Sequence, residues 1–116
     1  MRSFLSICIA LFLATPAAAE FTRITERADF VAAVEGKRLT RALVSLRVTG
    51  GGAISGRGGV WDVTGNWDWQ GGYFCRSLIW GGDDLGYNCQ EVTRDGNTLR
   101  FTSDKGAGQS ATFTLR

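Results

Sequence analysis

The chain contains no histidine. That one gap removes the commonest general base near neutral pH and the commonest metal ligand. Proline occurs once, at Pro16, and cysteine three times, at Cys8, Cys75 and Cys89. Charge of either sign is scarce in excess: 13 basic residues face 11 acidic ones. A nucleic-acid footprint needs a clustered basic face, and none is present. The one long apolar run, Phe4 to Ala14, falls short of the ~20 residues that span a bilayer.

That run has another reading. Met1-Arg2-Ser3 is a short cationic start, Thr15-Pro16 breaks the apolar segment, and Ala17-Ala18-Ala19 supplies the small-x-small pattern of a signal-peptidase site. Residues 1–19 read as a secretory signal cleaved after Ala19, and no lipobox precedes Cys8. The remainder, residues 20–116, is a single secreted domain of 97 residues carrying 12 basic and 11 acidic groups. A domain of that size benefits from a covalent staple. Loss of Cys8 with the signal leaves Cys75 and Cys89 as an even pair for an oxidising compartment, periplasmic or extracellular.

The spacing predicts one helix, over residues 25–35, with Thr25 as cap, Glu26 and Asp29 in the first turn and Gly36 as stop. Phe30, Val31 and Val34 share a face that must dock on something else, because so short a helix is marginal alone. From residue 37 to 115 the pattern is that of strands. Arg41 to Val48 alternates as one half-buried strand, and Ala53-Ile54-Ser55-Gly56 returns after Thr49-Gly50-Gly51-Gly52. Arg57-Gly58-Gly59 reads as the next turn.

Val60 to Val92 holds all four tryptophans, both tyrosines and the mature cysteines. Trp61, Val63, Gly65, Trp67 and Trp69 fall on one face of a strand that turns at Gly71-Gly72 into Tyr73 to Trp80. A second turn at Gly81-Gly82-Asp83 leads into Asp84 to Val92. Centred on Gly82, that hairpin pairs residues whose numbers sum to 164, which places Cys75 opposite Cys89 and within reach of a cross-strand disulfide. Asp95-Gly96 and Asp104 to Gly108 mark further turns around Thr98–Thr102 and Ser110–Leu115. The expected fold is all-β: a small antiparallel up-and-down barrel or strongly curved meander of about eight strands, with the helix covering one end.

The aromatic set Trp61, Trp67, Trp69, Tyr73, Trp80 and Tyr87 can line a ligand cavity, although filling of the core explains the same rings. Arg76 alternates with Phe74, Leu78 and Trp80. If that face is inward, the guanidinium needs a carboxylate, with Asp62, Asp68 and Glu91 as candidates, or else serves as an anion site; if it is outward, Arg76 is an ordinary rim arginine with apolar neighbours. Asp83-Asp84 near Asn88 offers too few oxygens for calcium, and turn chemistry accounts for it. No nucleophile has a recognisable base, and the glycines of Asp104 to Gly108 match neither a phosphate loop nor a dinucleotide fingerprint.

At Gly65-x-Trp67-x-Trp69-x-x-x-Tyr73-Phe74-Cys75-Arg76, followed by Gly81-Gly82 and Cys89-Gln90, the chain resembles a group of small exported proteins of alphaproteobacteria. The likeness extends to Gly96-Asn97-Thr98-Leu99-Arg100-Phe101. Members of this group often carry the name dihydrodipicolinate reductase. An enzyme of that name is a much longer, cytoplasmic, nicotinamide-dependent protein with a glycine-rich Rossmann turn, and these residues supply none of that. The resemblance implies the fold and the export, and leaves the activity open.

The function expected is that of a non-enzymatic periplasmic binding or accessory domain, without catalytic residues, metal or cofactor. Its partner is a small ligand or another periplasmic protein, with neither nucleic acid nor, after cleavage, membrane involved. A protein–protein module such as an envelope protease inhibitor is the alternative. An enzyme, with Arg76 and Asp83-Asp84 as its best groups, comes third.

Overall fold

The computed structural model describes Ser3 and residues 20–116. The signal-peptide reading of residues 1–19 lies outside the described residues, Ser3 apart. Among the described residues nine strands follow in order: β1 Thr22–Ile24, β2 Leu39–Arg41, β3 Val44–Val48, β4 Ala53–Gly58, β5 Trp61–Gln70, β6 Tyr73–Trp80, β7 Asp83–Asp95, β8 Thr98–Thr102 and β9 Ser110–Leu115. One α-helix among them, α1, spans Arg27–Val34, and a single 3-10 turn lies at Asp104–Gly106. Strands β2 to β9 pair each with the next, all antiparallel, and β9 returns to β2, so the sheet closes as an eight-stranded up-and-down barrel. Closure gives every inward side chain a common interior, and the Asp83–Gln90 stretch of β7 keeps one edge without a strand partner.

Strand β1 was not legible as a strand. It exists because β7 is too long for its neighbours. The first part of β7 pairs with β6 as far as Gln90, and the part from Glu91 to Asp95 pairs with β8. Beyond the start of β6 the other edge of β7 is bare, and Thr22–Ile24 fills it opposite Val92–Arg94.

Three local expectations need correction. The helix begins at Arg27 rather than Thr25, and its cap residue Glu26 makes no side-chain capping bond. The Thr25 carbonyl instead accepts a hydrogen bond from Trp69 Nε1 at 2.8 Å, which fixes the chain just outside the helix. The strand expected over Arg41–Val48 is two strands, split by a tight hairpin at Ala42-Leu43, where Leu43 takes a left-handed φ of 63°. The turn placed at Arg57-Gly58-Gly59 is the two-residue loop Gly59-Val60, because Arg57 and Gly58 still pair with Asp62 and Trp61.

The β6–β7 hairpin meets the expected register by a different route. Its loop is Gly81-Gly82, with φ of 57° and 89°, a conformation open to glycine at little cost. Trp80 therefore faces Asp83, one residue out of the register inferred from a turn centred on Gly82. A bulge opposite Leu78/Ile79 then absorbs one extra residue, Leu85, and brings Cys75 opposite Cys89. The two are disulfide-bonded, with a Cα–Cα distance of 3.9 Å.

The turns sort to two ends. Thr49–Gly52, Gly71-Gly72 and Gly96-Asn97 lie at the end that carries α1, whose Arg27 donates to the Gly50 carbonyl. The loops at residues 42–43, 59–60, 81–82 and 103–109 lie at the other end.

Candidate functional site

Alternation decides what each strand sends inward. On β6 the inward residues are Phe74, Arg76, Leu78 and Trp80, which lie opposite Trp69, Trp67, Gly65 and Val63 of β5. At the helix end this interior is solid. Phe30 of α1 is fully buried, with ring centroids 5.1 Å from each of Trp67, Trp69 and Phe74 and 6.2 Å from Phe101. The Trp67 indole donates to the Thr49 carbonyl at 2.9 Å, so the buried N–H is satisfied as a core tryptophan requires. Trp67 and Trp69, two of the candidate ligand rings, are thus the seat of the helix.

Above Phe74 and Phe101 the interior opens. A cavity of about 580 Å³ runs to the loops at residues 42–43 and 103–109, within the size range of small-molecule sites. Its walls come from Val44, Leu46, Leu78, Trp80, Ala111 and Phe113, with Arg76, Gln90 and Ser103 as polar members and Arg41, Gln109 and Ser110 as further polar members at the open end. Trp80 lies flat on β4: a Cβ at Gly58 would sit 1.8 Å from its Cζ2. Glycine at 58 is what lets this indole lean against the wall instead of plugging the mouth.

Arg76 faces this cavity. Its Nη1 donates to the Gly86 carbonyl at 3.0 Å, at the bulge of β7. Partial burial lowers the affinity of the guanidinium for its proton below the ordinary value, through desolvation. The carboxylate partner anticipated for it is missing among the described residues: Asp62 instead lies 3.7 Å from Arg57, the one ion pair found there. Asp68 accepts from Gln70. Asp68 and Glu91 fall on the outward face because they alternate with the inward Trp67, Trp69, Gln90 and Val92.

The remaining candidate rings are elsewhere. Tyr73 is on the outer face between Arg23 and Lys105, whose cationic groups lie 4.7 and 5.4 Å from its centroid. Tyr87 is 59% exposed and Trp61 57% exposed. Trp61 begins β5 and swings out of the barrel across Gly81, where it shares a shallow cleft of about 200 Å³ with Trp80 and Asp83. Of the seven candidate ligand residues, only Trp80 and Arg76 line the main cavity. The wall residues that were missed carry no chemical signature. Strand parity could have found Val44, Leu78, Ala111 and Phe113, since each follows the inward phase of its strand.

Asp84 Oδ1 accepts from the Gly86 amide at 2.8 Å, which assigns that carboxylate to the turn. No cluster of three or more metal-ligating side chains occurs among the described residues. No helix among them is long and apolar enough to cross a membrane, and the disulfide fits an oxidising compartment. Comparison with known proteins returns no match, whether to a family model, a curated protein or a solved structure.

Proposed function

We propose that this protein is a periplasmic, non-enzymatic carrier or sensor that takes a small, mainly apolar ligand into the open half of its barrel. The observation that carries this reading is the uneven filling of the interior. A barrel of eight strands is just wide enough for side chains to fill, or to hold one small ligand. Here one half is filled by Phe30 and its ring cluster, and the other keeps about 580 Å³ free beside Trp80. Export through a signal at residues 1–19 and the likeness to small exported alphaproteobacterial proteins support the periplasmic placement. The reductase name common in that group is set aside, since no nicotinamide fingerprint is present in the sequence.

The test is titration with the neutral dye N-phenyl-1-naphthylamine, read by its own fluorescence and by quenching of tryptophan. Saturable one-to-one binding that Ala111→Trp abolishes, with the fold unchanged by circular dichroism, is the expected result. An unsaturable response, or binding that Ala111→Trp leaves intact, refutes the cavity reading.

A protein–protein role is the second reading, favoured by one observation. Leu43, Val60, Trp61, Ile79 and Leu85 are all about half exposed or more, and all lie at or near the open end. Such a patch marks an interaction surface more often than chance apolar exposure does. A periplasmic pull-down that loses its stoichiometric partner on Val60→Lys would favour this reading over the first.

A further inference from the structure

We infer that the cavity takes a single-tailed amphiphile with a carboxylate head, bound head-first with the carboxylate on Arg76. This rests on the binding reading above and adds the chemical class and the orientation of the ligand.

The first observation is depth. Arg76 is four residues along β6 from Trp80 at the hairpin end, which at strand rise places it about 13 Å inside the mouth. It lies one inward step above Phe74, which caps the solid half of the core. The Arg76 backbone therefore stands at the floor of the cavity, and its guanidinium reaches one step toward the mouth, to Gly86 opposite Leu78, still inside the level of Trp80.

The second observation is what the guanidinium lacks. It has five N–H donors, and one hydrogen bond, to the Gly86 carbonyl, is formed among the described residues. Holding the bulge needs that one donor and no more. Asn88, the register partner of Arg76 on β7, is already committed: its amide donates to Asp104 Oδ1 at 2.8 Å, and its Oδ1 accepts from the Asp104 amide at 3.0 Å. A half-buried cation left with spare donors is costly unless something else arrives to pair with it. Its planar fork matches a carboxylate, which can accept two parallel N–H bonds.

The third observation is polarity along the cavity. The polar side chains Gln90 and Ser103, joined at 3.2 Å, lie near the Arg76 level, on the β7–β8 side. Toward the mouth the walls become mainly apolar, with Ala42, Val44, Leu78, Leu85 and Trp80, and the polar Arg41, Gln109 and Ser110 stand beside the open-end loops. A ligand matched to this gradient is anionic at one end and apolar along the rest. Arg76 is the deeper of the two lining cations; Arg41 stands at the mouth, 5.7 Å from the Phe113 ring centroid, so a single negative charge is matched at depth and the second charge of a phosphate monoester is not.

Calorimetric titration of the purified protein with decanoate, decanol, decyl phosphate and decyltrimethylammonium tests the inference. Decanoate is expected to bind about tenfold or more tighter than decanol, the size of one charge-assisted hydrogen bond. That preference should vanish in Arg76→Gln and persist, weakened several-fold, in Arg76→Lys. Decanol binding as tightly as decanoate, or a preference unchanged in Arg76→Gln, overturns the carboxylate assignment and leaves the cavity reading standing. Decyl phosphate or the ammonium compound binding tighter than decanoate overturns it as well. Failure of all four to bind refutes the cavity reading together with the inference. If Arg76→Gln does not fold, the head-group ranking in the unaltered protein and in Arg76→Lys decides the matter.

Discussion

The two ends of the barrel are made from the same strands in the same alternation, yet one is filled and the other open. At the helix end a single side chain, Phe30, meets four other rings, and two indole N–H groups are tied to the backbone carbonyls of Thr49 and Thr25. At the far end no α-helix among the described residues covers the interior, the lining includes the short side chains Ala42, Val44 and Ala111, and Trp80 is laid aside on Gly58. The difference teaches where stability and binding are placed. Folding draws on the helix end, where apolar area is removed from water and rings pack at close range. The open end gives up some of that gain, and keeps a half-buried arginine whose one hydrogen bond goes to the Gly86 carbonyl at the bulge.

That contrast can be broken in order of effect. Phe30→Ala should cost about 3–5 kcal/mol, because it empties the centre of the ring cluster; urea denaturation checks this, and a loss below 1 kcal/mol would remove the distinction between the ends. Next is the disulfide. Replacing Cys75 and Cys89 with Ser should cost about 3 kcal/mol for a loop of this length. Hydrogen exchange should rise first in β6 and in the β7 stretch before Glu91, which has no β8 partner on its other edge.

Smaller effects are expected at the open end, with the opposite sense. Desolvation lowers the pKa of Arg76, so the charged form is disfavoured in the folded state across neutral pH. The cost would be relieved only above the folded pKa, beyond the working range. Arg76→Met should therefore stabilise the protein in denaturant melts, by about 1 kcal/mol or less once solvent screening of a half-exposed group is counted. Ala111→Trp should change stability by less than about 1 kcal/mol, although a similar insertion into a packed core costs 1–3 kcal/mol.

Much of this was written in the residues, and the exceptions have physical causes. The alternation in β5, β6 and β8 pointed to an antiparallel barrel or strongly curved meander, while closure and the inward position of Arg76 came only with the structure. The cysteine pairing was legible, but its register came from a two-residue turn plus a bulge at Leu85, two offsets that a simple count merges into one. The Ala42-Leu43 hairpin was not legible, because Leu43 occupies a left-handed conformation that sequence patterns reserve for glycine and asparagine. Strand β1 was hidden because its three residues are held by the overhang of β7 and carry no pattern of their own. Within the candidate ring set, parity alone could not separate rings that seat the helix from the one that borders the cavity. That depends on where α1 docks.

The four indole N–H signals, followed by heteronuclear NMR during a decanoate titration, test the division most directly. The Trp80 signal should shift, while those of Trp67 and Trp69 stay fixed in their hydrogen bonds to Thr49 and Thr25. Shifts in Trp67 and Trp69 equal to that of Trp80, or a Trp80 signal that never moves, would contradict a barrel filled at one end and receptive at the other.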